Sequence, residues 1–218
     1  MNNLSVWALK YGESTLPENM VFKGGSSNIS LPISFAIYLI QTENRRILVD
    51  VGCDTMPGFL MRRFYSPAFV LREIGLSSAD ITDVIITHAH HDHVAALSHF
   101  ENATVYIQTE EYANAKQYIS QRSHVRMFDD TFSIEKNIRI VKIGGHSIGS
   151  SIVEIDHGDV TYVVAGDECY HNACVAQKHS TGSSCNESRS LEFVEKYAEG
   201  RYRVLTMHDP AIKTTKIV

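Results

Sequence analysis

The feature that most constrains this chain is a histidine-rich run at residues 87–94, Thr-His-Ala-His-His-Asp-His-Val. The run places four histidines and one aspartate within six positions, directly after an apolar triplet at residues 84–86. Imidazole and carboxylate groups are preferred ligands of zinc and of similar first-row metals. The side chains of the run that carry this chemistry are His88, His90, Asp92 and His93.

The spacing of these side chains favours an irregular loop. Residues two apart on a helix point away from each other, so His88 and His90 would not converge on one helical face. The alternatives are an adventitious surface tract or an expression tag. A tag lies at a terminus and does not follow a predicted strand, so we interpret the run as a metal-binding loop.

Size and composition restrict the classes of protein that remain. With 218 residues, 44% of them hydrophobic and 21% charged, the chain is typical of a globular protein, and we expect a single domain over residues 1–218. The net charge of −5 argues against a nucleic-acid partner, and the apolar runs are too short to span a bilayer. The start of the chain does not resemble a signal peptide, which predicts a cytoplasmic protein.

The four cysteines form no Cys-x-x-Cys pair. They are interpreted as reduced thiols, although a bridge between Cys174 and Cys185 stays open at this point.

The apolar patterning predicts strands in two batches with helices outside them, which favours an α/β layered domain. Strands are predicted at residues 6–10, 34–41, 46–51, 83–87, 104–108, 139–143, 151–155, 160–164 and 202–207, and helical segments at residues 77–80, 94–100, 110–120 and 190–198. We also expect a long loop at residues 12–32 and helical segments interrupted by Pro67 at residues 58–75.

Three further candidate ligands follow predicted strands. His146 comes after residues 139–143, Asp167 after residues 160–164, and His208 directly after residues 202–207. Loops at one end of a rigid sheet are where binding groups usually collect. Each residue is weak evidence alone. Together with the run at 87–94 they make seven candidate ligands, which suits two metal ions with a shared carboxylate better than one ion.

The combined pattern resembles the metallo-β-lactamase superfamily. The motifs that carry the resemblance are His88-x-His90-x-Asp92-His93, Gly145-His146-Ser147, Ala165-Gly166-Asp167, the late His208, and Asp50 at the end of a predicted strand. The resemblance covers nearly the whole chain. It implies an αββα sandwich of two mixed β-sheets, with helices on the outer faces and the metal site at one edge.

The resemblance also implies a role for each candidate residue. One metal ion would be held by His88, His90 and His146, and the other by Asp92, His93 and His208. Asp167 would bridge the two ions, Asp50 would orient ligands through hydrogen bonds, and Asp92 would also pass a proton to the leaving group. The expected cofactors are two divalent ions, zinc foremost, with iron, manganese, cobalt or nickel accepted by the same ligand set.

Within the superfamily, the chain is most similar to the N-acyl-homoserine lactonase branch. Tyr170, three residues after Asp167, matches a tyrosine that these lactonases direct at the substrate carbonyl; the alternative role is packing. Residues 147–150 depart from the usual Thr-Pro-Gly-His, and Ser150 stands where these lactonases have a histidine that is not a ligand. The predicted function is a dinuclear hydrolase that uses a metal-bridging hydroxide to open a lactone or small ester.

Other functions stay open on the same scaffold. The nearest alternative is a thioesterase of glyoxalase II type, followed by a phosphodiesterase, which the negative net charge disfavours. A β-lactamase is disfavoured because no export signal is found, and a non-catalytic sensor or a diiron redox protein belongs to a different class. The expected partner is a small-molecule substrate, with no nucleic acid and no membrane. Apolar residues near 59–69 are compatible with a homodimer.

Overall fold

The computed structural model describes residues 4–119 and 121–218, which form two β-sheets flanked by helices. The first residues, Met1, Asn2 and Asn3, lie outside the described residues, as does Ser120, the predicted last residue of the helix at 110–120. Within the described parts of the chain, none of the helices combines the length and apolar character that crossing a bilayer requires.

The bounds of the strands and helices are as follows. The strands are β1 (Ser5–Pro17), β2 (Ser30–Gln41), β3 (Arg46–Val49), β4 (Asp83–Ile86), β5 (Thr104–Gln108), β6 (Val125–Phe128), β7 (Thr131–Glu135), β8 (Ile138–Lys142), β9 (Ser151–His157), β10 (Val160–Val164), β11 (Tyr202–Leu205) and β12 (Thr215–Lys216). The helices are α1 (Glu18–Val21), α2 (Pro67–Glu73), α3 (His91–Val94), α4 (Thr109–Ile119), α5 (Asn172–Gln177) and α6 (Glu187–Tyr197). Short 3-10 turns lie at Ser78–Asp80, Ala95–His99 and Gly166–Glu168.

Both sheets are mixed. Over the described residues, the first sheet has the strand order β12-β1-β2-β3-β4-β5-β6 and the second β11-β10-β9-β8-β7. In the first sheet β12 to β3 pair antiparallel and β3 to β6 pair parallel. In the second sheet only β10 and β11 pair parallel. The predicted sandwich of two mixed sheets is confirmed.

The alternation of side chains along β2 shows how the layers are held together. Tyr38 and Ile40 pack into the core between the two sheets, which also contains Ile140 and Val153 of the second sheet. Ile37 and its neighbours on the other face pack into the outer core of the first sheet. Residues 33–40 are all buried, and successive side chains enter opposite cores, as expected for a central strand with both faces covered. Each fully buried aliphatic side chain contributes about 1.5–3 kcal/mol of hydrophobic stabilisation.

The prediction of a long loop at residues 12–32 is wrong for most of this segment. Strand β1 continues to Pro17, and β2 already begins at Ser30, directly opposite Pro17 in the antiparallel register. Helix α1 occupies part of the remaining connection. The strand was not predicted because the segment is rich in polar residues. Its stabilisation comes from pairing with β2, and the composition of the segment alone does not indicate this pairing.

The prediction that Pro67 interrupts a helix is also wrong, because Pro67 begins α2. A proline in the first turn removes only an N–H group that has no partner within the helix. Ser66 caps this end, since its hydroxyl oxygen accepts a hydrogen bond from the backbone N–H of Phe69 at 3.2 Å.

The histidine-rich run is only partly irregular. His88 and Ala89 have no regular structure, but His91 begins the single helical turn α3, which passes into the 3-10 turn at Ala95–His99. In place of the predicted helix at 94–100, the structure has the helical turn α3, which starts earlier at His91, followed by the 3-10 turn at Ala95–His99. The short elements β6, β7, β12 and α5 had no predicted counterpart, and β6 and β7 expose about half of their side chains.

Candidate metal centre

The structure brings all seven candidate ligands together at one edge of the sandwich. Their donor atoms form two groups, and within each group all atoms lie within 4.8 Å of one another. We name them the first ligand cluster (His88, His90, His146 and Asp167) and the second ligand cluster (Asp92, His93 and His208).

Asp167 lies between the two clusters and presents one carboxylate oxygen to each. Its Oδ2 atom is 3.6 Å from Nε2 of His88 and 3.4 Å from Nε2 of His146. Its Oδ1 atom is 3.1 Å from Nε2 of His93 and 3.0 Å from Nε2 of His208. A carboxylate divided in this way can serve two cations at once.

The nitrogen atoms of the first ligand cluster fit a cation better than they fit one another. Nδ1 of His90 lies 3.0 Å from Nε2 of both His88 and His146. Nδ1 of His90 carries at most one proton, so it cannot donate hydrogen bonds to both of these Nε2 atoms at once. Tetrahedral zinc with bonds of about 2.0–2.1 Å would place its nitrogen ligands roughly 3.3 Å apart, which is close to this spacing.

The second ligand cluster contains a buried nitrogen that has no hydrogen-bond partner. Nε2 of His93 is this atom, although the residue is 2% exposed. It lies 3.6 Å from Oδ2 of Asp92, and the same oxygen is 3.8 Å from Nε2 of His208. This imidazole nitrogen faces the carboxylates of Asp92 and Asp167. A divalent cation bound between them would give the nitrogen a partner and neutralise the carboxylates.

Hydrogen bonds on the far side of two of the rings leave their Nε2 atoms facing the clusters. Nδ1 of His208 donates to the carbonyl oxygen of Ser34 at 2.8 Å, and Nδ1 of His146 donates to the carbonyl oxygen of Ser183. Because a carbonyl oxygen can only accept, the proton lies on Nδ1 and the lone pair on Nε2.

The electrostatics of His88 and Asp167 agree with this protonation pattern. At His93, burial acts to lower the pKa, but the carboxylates of Asp167, Asp92 and Asp50 raise it well above its usual value, so a cation at this position would take the place of the second ring proton. Burial, reinforced by the neighbouring His93, lowers the pKa of His88 well below its usual value, which favours the neutral imidazole that binds metals. Burial acts to raise the pKa of Asp167, but His93 and the other surrounding histidines lower it well below the usual range. Asp167 is therefore an ionised carboxylate.

Asp50 orients the histidine-rich run through hydrogen bonds to Thr87. Its Oδ1 atom accepts from the backbone N–H of Thr87 and its Oδ2 atom from the Thr87 hydroxyl, both at 2.7 Å. The hydroxyl of Thr87 in turn lies 3.1 Å from Nδ1 of His88. Asp50 adopts a left-handed backbone conformation, with φ of 58°, which is unfavourable for a residue with a side chain. Strain of this kind persists where surrounding contacts enforce it.

Tyr170 lies over the junction of the two clusters. Its ring stacks on His208 with centroids 4.9 Å apart and meets His146 edge-on at 6.1 Å. Burial, followed by the charges of Asp167 and Asp92, raises the pKa of Tyr170 well above its usual value. The phenol therefore keeps its proton and can donate a hydrogen bond.

Three residues that contact the ligand loops were missed by the sequence analysis. The hydroxyl of Tyr11 donates to the backbone carbonyl of Asp92 at 2.8 Å. Glu111 and Glu168 are buried and accept hydrogen bonds from the loops that carry His88 and His146. Adjacency to Asp167 could have drawn attention to Glu168, whereas nothing local distinguishes Tyr11 or Glu111.

Other predicted features lie outside the two clusters. His91 contacts Thr55, and His99 pairs with Asp54 at 2.7 Å on the surface. All four cysteines are free thiols, so the bridge between Cys174 and Cys185 is not formed. Ser150 is buried, and its hydroxyl bonds to Glu168.

Comparison with known proteins supports the same interpretation. The family model of the Metallo-beta-lactamase superfamily matches residues 36–171. A probable metallo-hydrolase of Methanocaldococcus jannaschii is 27% identical over 177 residues, which cover 79% of this chain and 75% of that protein. The N-acyl homoserine lactonase AiiB of Agrobacterium fabrum is 25% identical over 145 residues, 55% of this chain and 52% of the lactonase. The chain therefore spans about half the length of that lactonase.

Solved structures share the fold of this chain. The structure of an N-acyl homoserine lactone hydrolase, with the product N-hexanoyl-L-homoserine bound at its catalytic metal centre, aligns with a TM-score of 0.82. The alignment covers 94% of this chain and 93% of that one at 18% identity. At this identity the likeness shows a common fold.

Proposed function

The chain belongs to the metallo-beta-lactamase superfamily of hydrolases, and from this premise we propose that it is a dinuclear enzyme that opens a lactone or a similar small ester. In this proposal the first ligand cluster holds one divalent ion and the second holds another. Asp167 contacts both. Zinc is the proposed metal because imidazole and carboxylate groups are ligands that it prefers. Other divalent first-row metals bind to the same kinds of ligand.

One observation carries the proposal: the two oxygens of Asp167 face different histidine pairs at 3.0–3.6 Å. A single-ion site would need neither this division nor all seven ligands. A pair of bound ions would supply a water acidic enough to attack near neutral pH and would polarise the oxygen of the scissile carbonyl.

The residues of the chain would then position the substrate and move protons. The Tyr170 hydroxyl, protonated and placed over both clusters, would donate a hydrogen bond to the oxyanion that develops on the substrate carbonyl. The Asp92 side chain is 17% exposed, against 3% for Asp167. Its carboxylate would accept the proton that the attacking water gives up and pass it to the leaving alkoxide. Asp50 would hold His93 in the tautomer that binds.

The surroundings of the second ligand cluster favour a substrate with an apolar portion. Phe35 packs edge-on against His208 with centroids 5.1 Å apart, and Phe59 lies next to Phe35 at 6.0 Å. Phe59 is 37% exposed, so in this proposal its ring would contact the apolar portion of the substrate. The relatedness to an N-acyl homoserine lactonase supports the choice of a lactone.

The experiment that tests this proposal is a substrate panel. Protein loaded with zinc or with manganese would be assayed against acyl-homoserine lactones, thioesters and phosphodiesters. We expect the highest kcat/KM for a lactone. Preferential turnover of a thioester would instead support the glyoxalase II type, and preferential turnover of a phosphodiester would replace the ester assignment altogether.

A further inference from the structure

The loop that carries His146 is held by two buried glutamates from different elements. Glu111 lies on α4 and is 1% exposed; Glu168 follows β10 and is fully buried. Neither residue belongs to a ligand cluster. Among the described residues, neither forms an ion pair with a lysine, an arginine or a histidine. Burying a carboxylate without a counter-charge is unfavourable unless its oxygens accept several hydrogen bonds.

Glu168 holds the start and the end of the loop through one oxygen. Its Oε1 atom accepts from the backbone N–H of Gly145 at 3.1 Å and of His146 at 3.2 Å, and from the hydroxyl of Ser150. Its Oε2 atom has no hydrogen-bond partner. Burial raises the pKa of Glu168 to about 7, against the effect of these three donors.

Glu111 connects this loop to the histidine-rich run. Its Oε1 atom accepts from the hydroxyl of Ser147 at 2.7 Å and from the backbone N–H of Gly149 at 3.0 Å. Its Oε2 atom accepts from the backbone N–H of Ala89 at 3.0 Å. Ala89 lies between His88 and His90, so one carboxylate fixes the separation of the two loops that supply the histidines of the first ligand cluster.

Close packing explains why the loop has glycine at both contact points. A Cβ atom at Gly145 would lie 2.3 Å from Oε2 of Glu168, and one at Gly149 would lie 2.9 Å from Cγ of Glu111. Both distances are too short for ordinary contact. The glutamates and the glycines therefore form one unit in which the loop backbone lies directly against the carboxylates.

We propose that Glu111 and Glu168 are positioning residues that set the geometry of the first ligand cluster by holding the two loops that carry its histidines through their backbone amides and hydroxyls. The inference rests on the metal centre of the proposed function but not on the choice of substrate. Neither glutamate touches a ligand atom, so their removal should act on metal binding rather than on the chemical step. Loss of a group that orients ligands typically lowers metal affinity 10–100-fold.

The two residues should respond differently to replacement by glutamine. In Glu168→Gln the amide oxygen can take the place of Oε1 and keep all three hydrogen bonds, while the NH2 group takes the place of the unpartnered Oε2. In Glu111→Gln the NH2 group must face a backbone N–H, from either Ala89 or Gly149, and one link between the loops is lost. Glutamine should therefore rescue position 168 but not position 111.

The test measures binding of zinc to metal-free protein by competition with a chromophoric chelator, together with the visible absorption spectrum of the cobalt form. The variants are Glu111→Ala, Glu111→Gln, Glu168→Ala and Glu168→Gln. The control is Glu110→Ala, which changes a half-exposed neighbour on the same helix that pairs with Lys142 at the surface. Thermal unfolding of the metal-free forms shows whether each variant is folded.

We expect Glu111→Ala, Glu168→Ala and Glu111→Gln to lose 10–100-fold in affinity for one of two ions and to change the cobalt spectrum. Glu168→Gln and Glu110→Ala should stay within about threefold of the unmodified chain. If an alanine variant does not fold, the contrast between the two glutamine variants decides. Unchanged affinity and spectrum in Glu111→Gln, or equal losses in both glutamine variants, would overturn the inference. Failure of the unmodified chain to bind ions would overturn the metal centre itself, and the inference with it.

Discussion

Oδ2 of Asp50 accepts a hydrogen bond from Nδ1 of His93 at 2.7 Å, between two side chains that are both essentially buried. The same oxygen accepts from the hydroxyl of Thr87. The proton of the His93 ring is thereby held on the side away from the ligand clusters. Its Nε2 atom faces Oδ1 of Asp167 at 3.1 Å and would carry the lone pair once a cation takes the place of the second ring proton. This contact sets the protonation state of one ligand of the second cluster.

Replacing Asp50 by asparagine should weaken binding of one ion 10–100-fold. With its amide oxygen at the position of Oδ2, asparagine would be a neutral and weaker acceptor for His93 and would turn its NH2 group towards the backbone N–H of Thr87. The reverse orientation would turn the NH2 group towards the Nδ1–H of His93. Either orientation loses a contact that positions the histidine-rich run. Chelator competition on the purified Asp50→Asn variant measures the change.

A matched control is available in the same loop region. Asp54 also pairs with a histidine, Nε2 of His99 at 2.7 Å, but both side chains are more than a third exposed. We expect Asp54→Asn to bind both ions as the unmodified chain does. Equal affinities in the two variants would show that the contact between Asp50 and His93 does not control the ligand.

Removal of the metal ions should lower thermal stability. Ions that bind only the folded state, at a free concentration about 1,000-fold above their dissociation constant, stabilise it by roughly 4 kcal/mol per site. For a protein of this size each kcal/mol corresponds to about 2–4 °C, so chelation should lower the Tm by about 10 °C or more. Calorimetry before and after dialysis against a chelator measures this shift. Re-addition of zinc should restore it, whereas an unchanged Tm would contradict a tightly held centre.

The Tyr170→Phe substitution separates the proposed catalytic role from packing. The phenylalanine ring keeps the stacking on His208 but cannot donate to an oxyanion. We expect kcat for a lactone to fall about tenfold or more, with metal content unchanged. Tyr65→Phe, which removes an exposed hydroxyl, serves as the control. Unchanged turnover in Tyr170→Phe would assign this residue to packing.

The four cysteines should differ sharply in reactivity. Burial raises the pKa of Cys53 to about 12, so this group remains a thiol at pH 8.5, where thiolate is needed for reaction with a disulfide reagent. Cys169 and Cys174 are buried as well, and only Cys185 is exposed. Spectrophotometric thiol titration should therefore find one fast group in the native protein and four after denaturation. The Cys185→Ser variant should lose the fast group, and its persistence would show that another thiol is accessible.

The fold was predictable where its signal is local. A continuous apolar run at residues 34–41 predicted most of β2, and β5 was predicted at its observed bounds, Thr104–Gln108. The second half of β1 was missed because residues near Gly12 gain their strand character from pairing with β2. Pro67 was misinterpreted because the effect of a proline depends on whether it starts a helix or lies inside one.

Some residues of the site could likewise be predicted from local sequence, and others could not. His146, Asp167 and His208 could be selected because metal-binding side chains directly after strands are unusual and chemically distinctive. Glu111 could not, because a glutamate in the first turns of a helix is ordinary, and its role depends on amides that lie 22 and 38 positions away in the chain. Tertiary placement of backbone donors is not encoded in any short sequence pattern.

The central claim is that two cations occupy this edge of the sandwich with Asp167 between them. A crystal structure of zinc-loaded protein, with anomalous diffraction collected on both sides of the zinc absorption edge, tests it most directly. We predict two anomalous peaks, one among His88, His90 and His146 and one among Asp92, His93 and His208, each in contact with a different oxygen of Asp167. A single peak, or peaks away from Asp167, would contradict the account.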